Sequence, residues 1–341
     1  MNSIRWGLCC LFKEEPIHFA VRQATHMGKF DRKRQLELLA ATVAANATAL
    51  QAAIAYCARH SIGSFRVNSR IFPLKTHPQV GYCLADLPDH SAIEQAYRQA
   101  GQLAAAQGIR LTFHPDQFTL LSSPDAGVTA RSLDELAYHA EVAELIGADV
   151  ITLHGGGGYG DKSAALQRLI AVLDHLPPSL RSRLVLENDD RIYTPSDLLP
   201  VCAAAGIPFV YDVHHHRCLP DGLTIEEVTE RALATWSREP LFHLSSPREG
   251  WQSTNPRPHH DFIDPADLPL CWRGLAMTVE VEAKAKEIAL RRLQDDLAGR
   301  SAGDMAMSSS FPCPQRLETG GNGSRRTSAG TPEEINLFSA A

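Results

Sequence analysis

The feature that most constrains this chain is a recurring one: a short apolar run ends abruptly in an imidazole or a carboxylate. The sharpest case is Phe209-Val210-Tyr211, which gives way to Asp212, Val213 and the triplet His214-His215-His216, then Arg217. A buried strand cannot hide those polar groups, so they must emerge at a sheet edge and share a partner. Asp and His offer the oxygen and nitrogen donors that divalent metals take. A solvated His cluster, or a cap for a following helix, is the plainer explanation of this one stretch. The repetition elsewhere in the chain tells against it.

Eight strand-like apolar runs alternate with helical patterns, and six of them end this way. Strands are expected at Ile4–Cys10, Ser64–Asn68, Ile109–His114, Val150–His154, Leu184–Asp190, Phe209–Asp212, Leu241–Leu244 and Met277–Glu282. Helices are expected at Met27–Arg59, Ser91–Gln107, Ser132–Ile146, Lys162–Leu173, from Thr194 to before Gly206, Ile225–Trp236 and Ala283–Leu297. Continuous apolar strands between helices indicate a buried parallel sheet. Eight strands alternating with these helices, at roughly 30 residues per unit, predict an α/β fold of the (β/α)8 TIM-barrel class. An open doubly wound sheet is the competitor, but no Gly-x-Gly-x-x-Gly follows the first strand. One barrel domain over 1–300 is expected, followed by a Ser-, Gly- and Pro-rich tail over 301–341 too poor in apolar residues to order itself.

In a barrel of this kind the strand ends share one mouth, the C-terminal rim. His114, His154, Glu187, Asp212, His243 and Glu282 close strands three to eight, His215 lies three residues past Asp212, and His259 sits in the loop after strand seven. Taken singly each has a structural explanation, such as a helix cap for Glu187 or pairing of Glu282 with Lys284 or Lys286. Six strands ending alike point to a divalent-metal site. The donors exceed what one zinc needs, and imidazole with carboxylate suits zinc, manganese or iron. Two or more metals suit phosphodiester displacement, because they clamp both attacking and leaving oxygens. Sugar isomerisation is the rival chemistry.

The net charge is −6 and the pI about 6.2, which excludes a generic basic nucleic-acid binder. A local cationic lining remains open, from Arg66, Arg70, Lys75, Arg191, Arg217 and Arg248 late in or after strands. His114-Pro115-Asp116-Gln117-Phe118 sets an amide and a ring beside a metal-type donor, a pair suited to entering a base stack. The glycine run after His154, ending Tyr159-Gly160-Asp161-Lys162, lets a backbone approach closely and offers Lys162 to a phosphate. The eight cysteines show no CxxC pair, as expected of a reducing, cytoplasmic setting. No secretory signal and no apolar stretch near the ~18 residues of a bilayer span is apparent.

At these residues the chain resembles the UV damage endonuclease family. The matching motifs run in order: Asn68-Ser69-Arg70-Ile71-Phe72-Pro73, His114-Pro115-Asp116-Gln117-Phe118, Tyr159-Gly160-Asp161-Lys162, Leu186-Glu187-Asn188-Asp189-Asp190, Asp212 through Arg217, His243-Leu244-Ser245-Ser246-Pro247 and Glu282-Ala283-Lys284. The resemblance implies a barrel related to endonuclease IV and the xylose-isomerase-like proteins. It implies an endonuclease that nicks damaged double-stranded DNA 5′ to UV photoproducts, with abasic sites as further substrates. Two or three divalent ions are implied, manganese favoured over zinc or magnesium, and no nucleotide cofactor. The implied metal ligands are His77, His114, His154, Glu187, Asp212, His215, His243, His259 and Glu282, with Glu187, Asp212, His243 and Glu282 at the catalytic centre. Gln117 and Phe118 are the implied lesion probes, with Arg70, Tyr159, Lys162, Arg217 and Arg248 on the DNA. Three positions depart from the family pattern: Leu241 replaces a lysine that becomes carboxylated, Leu8 an aromatic residue, and Phe118 a tyrosine. A monomer is expected; a sugar isomerase or a non-catalytic damage-binding protein is the alternative.

Overall fold

The computed structural model describes residues 4–308. Eight strands form one parallel sheet: β1 Arg5–Cys9, β2 Ser64–Val67, β3 Arg110–Phe113, β4 Val150–His154, β5 Leu184–Glu187, β6 Phe209–Val210, β7 Leu241–Leu244 and β8 Thr278–Val281. Their order is β6-β5-β4-β3-β2-β1-β8-β7. The ring closes between β6 and β7, where the His243 N–H donates to the Tyr211 carbonyl at 3.0 Å and Asp212 bridges His243 in parallel. This is the expected (β/α)8 barrel.

Strand alternation sorts the side chains. Ile151, Leu153, Leu184, Leu186, Phe209, Phe242, Leu244, Val279 and Val281 belong to the large core shared with the helices. Val150, Val185, Val210 and Leu241 form a second buried cluster, offset from the first by one residue along each strand. Side chains of a strand alternate between faces, so this cluster is the barrel interior. The same parity then carries Glu187, Asp212 and His243 inward, two residues further along. Leu241, at the position where the resemblance leads one to expect a lysine, is wholly buried in this apolar layer.

Helix boundaries depart from expectation for local reasons. The helix expected to begin at Met27 is divided: Ala24–Met27 is a single turn, and Arg32–Arg59 starts anew at Asp31. The Asp31 carboxylate accepts from the Arg34 N–H at 2.8 Å, the usual satisfaction of an orphan donor. Contrary to expectation, Arg32–Arg59 is long and apolar enough, by length and composition, to cross a membrane. Its Leu39, Val43, Leu50 and Ile54 are buried in the main core, which accounts for the apolar face. The fourth-strand helix starts early, at Ala126, capped by Asp125. The last helix starts late and runs Glu287–Ser308; the compact barrel unit ends at Ala298. The remainder of the expected tail, 309–341, lies outside the described residues.

Candidate metal centre and nucleic-acid interface

Glu187 ends β5 at the C-terminal mouth, fully buried. Its Oε2 faces His114 Nε2 at 2.8 Å and His154 Nε2 at 3.9 Å. Its Oε1 faces His243 Nδ1 at 2.9 Å and His215 Nδ1 at 3.4 Å. One carboxylate thus collects imidazoles from β3, β4, β7 and the turn after β6. Two donor triads of metal-site dimensions share it: His114, Glu187, His243 and Glu187, Asp212, His215. Burial alone would push the Glu187 carboxyl up, but the imidazoles of His243, His154 and His114 outweigh it and hold the group well below the usual range.

Asp212 does two things at once. As N-cap of the short helix Val213–Cys218, its Oδ1 accepts from the His215 N–H at 2.8 Å. Its buried Oδ2 has no hydrogen-bond donor among the described residues. The plain explanation, a helix cap, is therefore correct for one oxygen and silent about the other. Asn188 ties this corner together, accepting from the Asp212 N–H at 3.0 Å and donating to the Asp212 carbonyl at 2.9 Å.

Glu282 follows β8. Its Oε1 pairs with Arg66 Nη1 at 2.6 Å, and its Oε2 lies 3.6 Å from His259 Nδ1. Burial opposes ionisation here too, yet Arg66, then His243 and His259, hold the carboxyl well below its ordinary range. His260 points elsewhere, its Nδ1 accepting from the Phe262 N–H at 2.9 Å, so His259 is the one at the site. His243 rises to about 10: burial lowers it, and Glu187 more than compensates. His154 falls to about 4, chiefly through burial, and its Nδ1 makes no hydrogen bond among the described residues. Unpaired buried polar atoms are rare in folded proteins. Asp212 Oδ2, 3.6 Å from His215 Nδ1 and 4.0 Å from His243 Nδ1, faces the cluster, and a divalent cation fits it as the missing partner.

His77 is not brought into this group. Its Nδ1 accepts from the N–H groups of Gln79 and Val80 at 3.2 and 3.4 Å, and it lines a separate cavity of about 620 Å³ with Asp116 and Phe118. Gln117 does join the centre: it lines a cavity of about 280 Å³ with His114, His154, Glu187, His215 and Glu282. Phe118 stands 73% exposed, which rules out a core role. Tyr159 and Ile192 are also exposed apolar groups on neighbouring rim loops, and Ile192 went unnoticed in the sequence because a lone isoleucine in a loop carries no pattern.

The cationic residues divide. Arg70 is 73% exposed at its side chain, 4.0 Å from Asp116; Arg191 is 74% exposed, 3.6 Å from Asp190. Arg248 is exposed beside Glu249. Lys162, expected to be available to a phosphate, instead donates to Asp197 at 2.7 Å and to the Ile192 carbonyl at 3.0 Å. Arg217 is similarly engaged, donating to the Asp267 carbonyl at 3.0 Å and lying over the Trp251 ring.

The fold and the donor set together define a TIM-barrel protein with a metal-type centre at its catalytic rim. The particular family follows from comparison: residues 4–310 match UV-endonuclease UvdE, and the chain belongs to that family of DNA repair endonucleases. It is 36% identical over 282 residues to the UV DNA damage endonuclease of Bacillus velezensis (strain DSM 23117 / BGSC 10A6 / LMG 26770 / FZB42), covering 79% of this chain and 86% of that protein. Among solved structures, SacUVDE superposes with a TM-score of 0.77 at 23% identity, covering 87% of this chain and 99% of that one. Endonuclease IV from Thermus thermophilus shares the fold, with a TM-score of 0.54 at 14% identity over 88% of this chain and 99% of that one.

Proposed function

We propose that the protein is a metal-dependent endonuclease that nicks duplex DNA immediately 5′ to UV photoproducts, leaving a 3′-hydroxyl and a 5′-phosphate. Abasic sites are included in its range. The observation that carries the reading is Glu187, shared by two donor triads beneath a rim bearing Gln117 and the exposed Phe118. The proposed ligands are His114, His154, Glu187, Asp212, His215, His243, His259 and Glu282, with His77 outside the set. We assign two or three divalent ions per chain, manganese before zinc or magnesium. Bound there, such ions would polarise the phosphodiester and offset the charge that builds on it.

The chain's own residues supply the rest. His114 Nδ1 lies 3.1 Å from the Pro115 carbonyl and His215 Nδ1 2.9 Å from the Asn188 carbonyl. Donation to those carbonyls fixes the ring tautomers and leaves each Nε2 its lone pair, that of His114 beside Glu187. Gln117 and Phe118 enter the stack at the lesion, the amide meeting base edges and the ring stacking. Unstacking costs a few kcal/mol, and less where the bases are already damaged, which gives selectivity. Arg70, Arg191 and Arg248 are exposed and able to meet phosphates, Arg191 and Arg248 by leaving surface pairs with Asp190 and Glu249, whereas Lys162 and Arg217 act by holding rim loops in place. The enzyme acts as a monomer in the cytoplasm and needs no nucleotide.

The test is incubation of the protein and manganese with a labelled duplex carrying one thymine dimer, beside an undamaged duplex. A single nick 5′ to the dimer, abolished by chelation, is the expected result. Lesion binding on a gel without nicking at any manganese concentration would replace this reading with a damage-binding protein. The sugar-isomerase alternative is not favoured, since the matched family and its named relatives are DNA endonucleases.

A further inference from the structure

The inward face of β8 carries a second carboxylate beneath Glu282. Glu280 is buried and sits in register with His243 on β7. Its Oε2 takes Arg66 Nε at 2.5 Å and lies 3.3 Å from His243 Nε2. The Thr112 hydroxyl donates to its Oε1. All three guanidinium nitrogens of Arg66 serve this centre: Nε on Glu280, Nη1 on Glu282 at 2.6 Å and Nη2 at 3.0 Å from His243 Nε2.

Resting on the metal-centre reading above, we propose that Glu280 is a positioning residue for the centre, orienting the His243 ring and, through Arg66, the Glu282 carboxylate. The two nitrogens of His243 have opposite surroundings. Nδ1 faces the donor cluster, with Glu187 at 2.9 Å, Glu282 at 3.7 Å and Asp212 at 4.0 Å. For Nδ1 to offer a lone pair, a neutral ring must carry its proton on Nε2. Arg66 Nη2, 3.0 Å from Nε2, is a donor and suits the ring form in which Nε2 is bare; in the form that frees Nδ1, Glu280 Oε2 at 3.3 Å is the acceptor beside Nε2. A carboxylate behind a ligand imidazole fixes tautomer and ring plane and raises the basicity of the ligand nitrogen. Leu241, one inward step below His243, is apolar, so β7 provides no such group and its neighbour β8 does.

Stability alone is a poor account of the network. A buried ion pair is commonly no better than a well-packed apolar replacement, and Val150, Val185, Val210 and Leu241 show that this barrel can fill its interior with such residues.

The experiment compares the unmodified protein with Glu280→Gln, which keeps the shape and removes the charge. The main readout is manganese binding by calorimetry, with kcat and KM for dimer nicking measured alongside. The expected result is a fall in manganese affinity of roughly 10- to 100-fold, kcat falling while KM for DNA stays level. Glu239→Gln, a carboxylate at the opposite end of the barrel, should lower melting temperature without changing manganese affinity. Should Glu280→Gln fail to fold, Glu280→Asp retains the charge but withdraws it by one methylene, and manganese affinity should still fall several-fold. Unaltered affinity in whichever variant folds would overturn the proposal. If the unmodified protein binds manganese but nicks nothing, the endonuclease reading fails and the calorimetry still decides the role of Glu280. If it binds no manganese, both fail.

Discussion

Both mouths of this barrel are lined with charge, but the two linings are built on opposite rules. At the N-terminal mouth, Arg5 grips Glu239 with two nitrogens at 2.7 and 3.1 Å. Arg110 grips Asp149 the same way at 2.9 and 2.7 Å, and Thr278 links the two pairs through Arg110 and Glu239. Bidentate guanidinium–carboxylate pairs satisfy both partners, and the one buried guanidinium nitrogen here without a hydrogen bond among the described residues, Arg238 Nε, is a donor beside Asp149. At the C-terminal mouth, Glu187 is shared among four imidazoles, and Asp212 Oδ2 accepts no hydrogen bond from the described residues. Between the mouths lies the apolar layer of Val150, Val185, Val210 and Leu241. Charge at one end locks the barrel; at the other Arg66 holds Glu280 and Glu282, but the imidazoles around Glu187 can each leave a lone pair over for a ligand.

That contrast can be broken in order of effect. Glu187→Gln should reduce dimer nicking by on the order of 10³-fold, with far-ultraviolet circular dichroism unchanged, since a shared anionic ligand contributes several kcal/mol to charge stabilisation. A variant that nicks at near-normal rate would remove Glu187 from the centre. Leu241→Ala, in the layer between, should cost about 3 kcal/mol in urea unfolding through the cavity it opens, while manganese affinity stays constant. Arg110→Met at the locked mouth should cost about 2 kcal/mol, discounted for the partial exposure of Asp149, and leave kcat intact at permissive temperature.

Acidification probes a region belonging to neither mouth. His139 is fully buried in the helix Ala126–Ile146, its Nδ1 lying 2.8 Å from the Glu135 carbonyl, and burial pushes its imidazole down to about 4. The folded state keeps it neutral while the unfolded chain protonates it near pH 6.5. Its contribution is therefore complete above about pH 6.5 and lost as pH falls towards about 4, amounting to about 2 kcal/mol by pH 5. His139→Gln should flatten that part of the pH–stability curve; an unchanged curve would assign the loss to another group. The smallest effect is expected from Phe118→Ala, about tenfold weaker binding to a dimer-containing duplex by fluorescence anisotropy, with binding to undamaged duplex unaltered.

The barrel was legible because apolar runs and helical periodicity are local signals. The ends of those runs marked His114, His154, Glu187, Asp212, His243 and Glu282, since a polar side chain terminating a buried strand is visible one residue at a time. Glu280 was hidden in the same way: it reads as one more strand residue. Yet Thr278, Glu280 and Glu282 alternate, and that parity alone set Glu280 on the face of Glu282. The engagement of Lys162 with Asp197 and of Arg217 with Asp267 was not legible, because each joins segments 35 and 50 residues apart. By itself, then, the amino-acid order determined the alternation of elements and the chemical type of each strand end. Only the closed barrel decided which nitrogen of each imidazole faces which carboxylate, and which cations are held by residues distant in the chain. Strand parity is a property of neighbours along the chain, whereas pairing of side chains depends on distances across the ring.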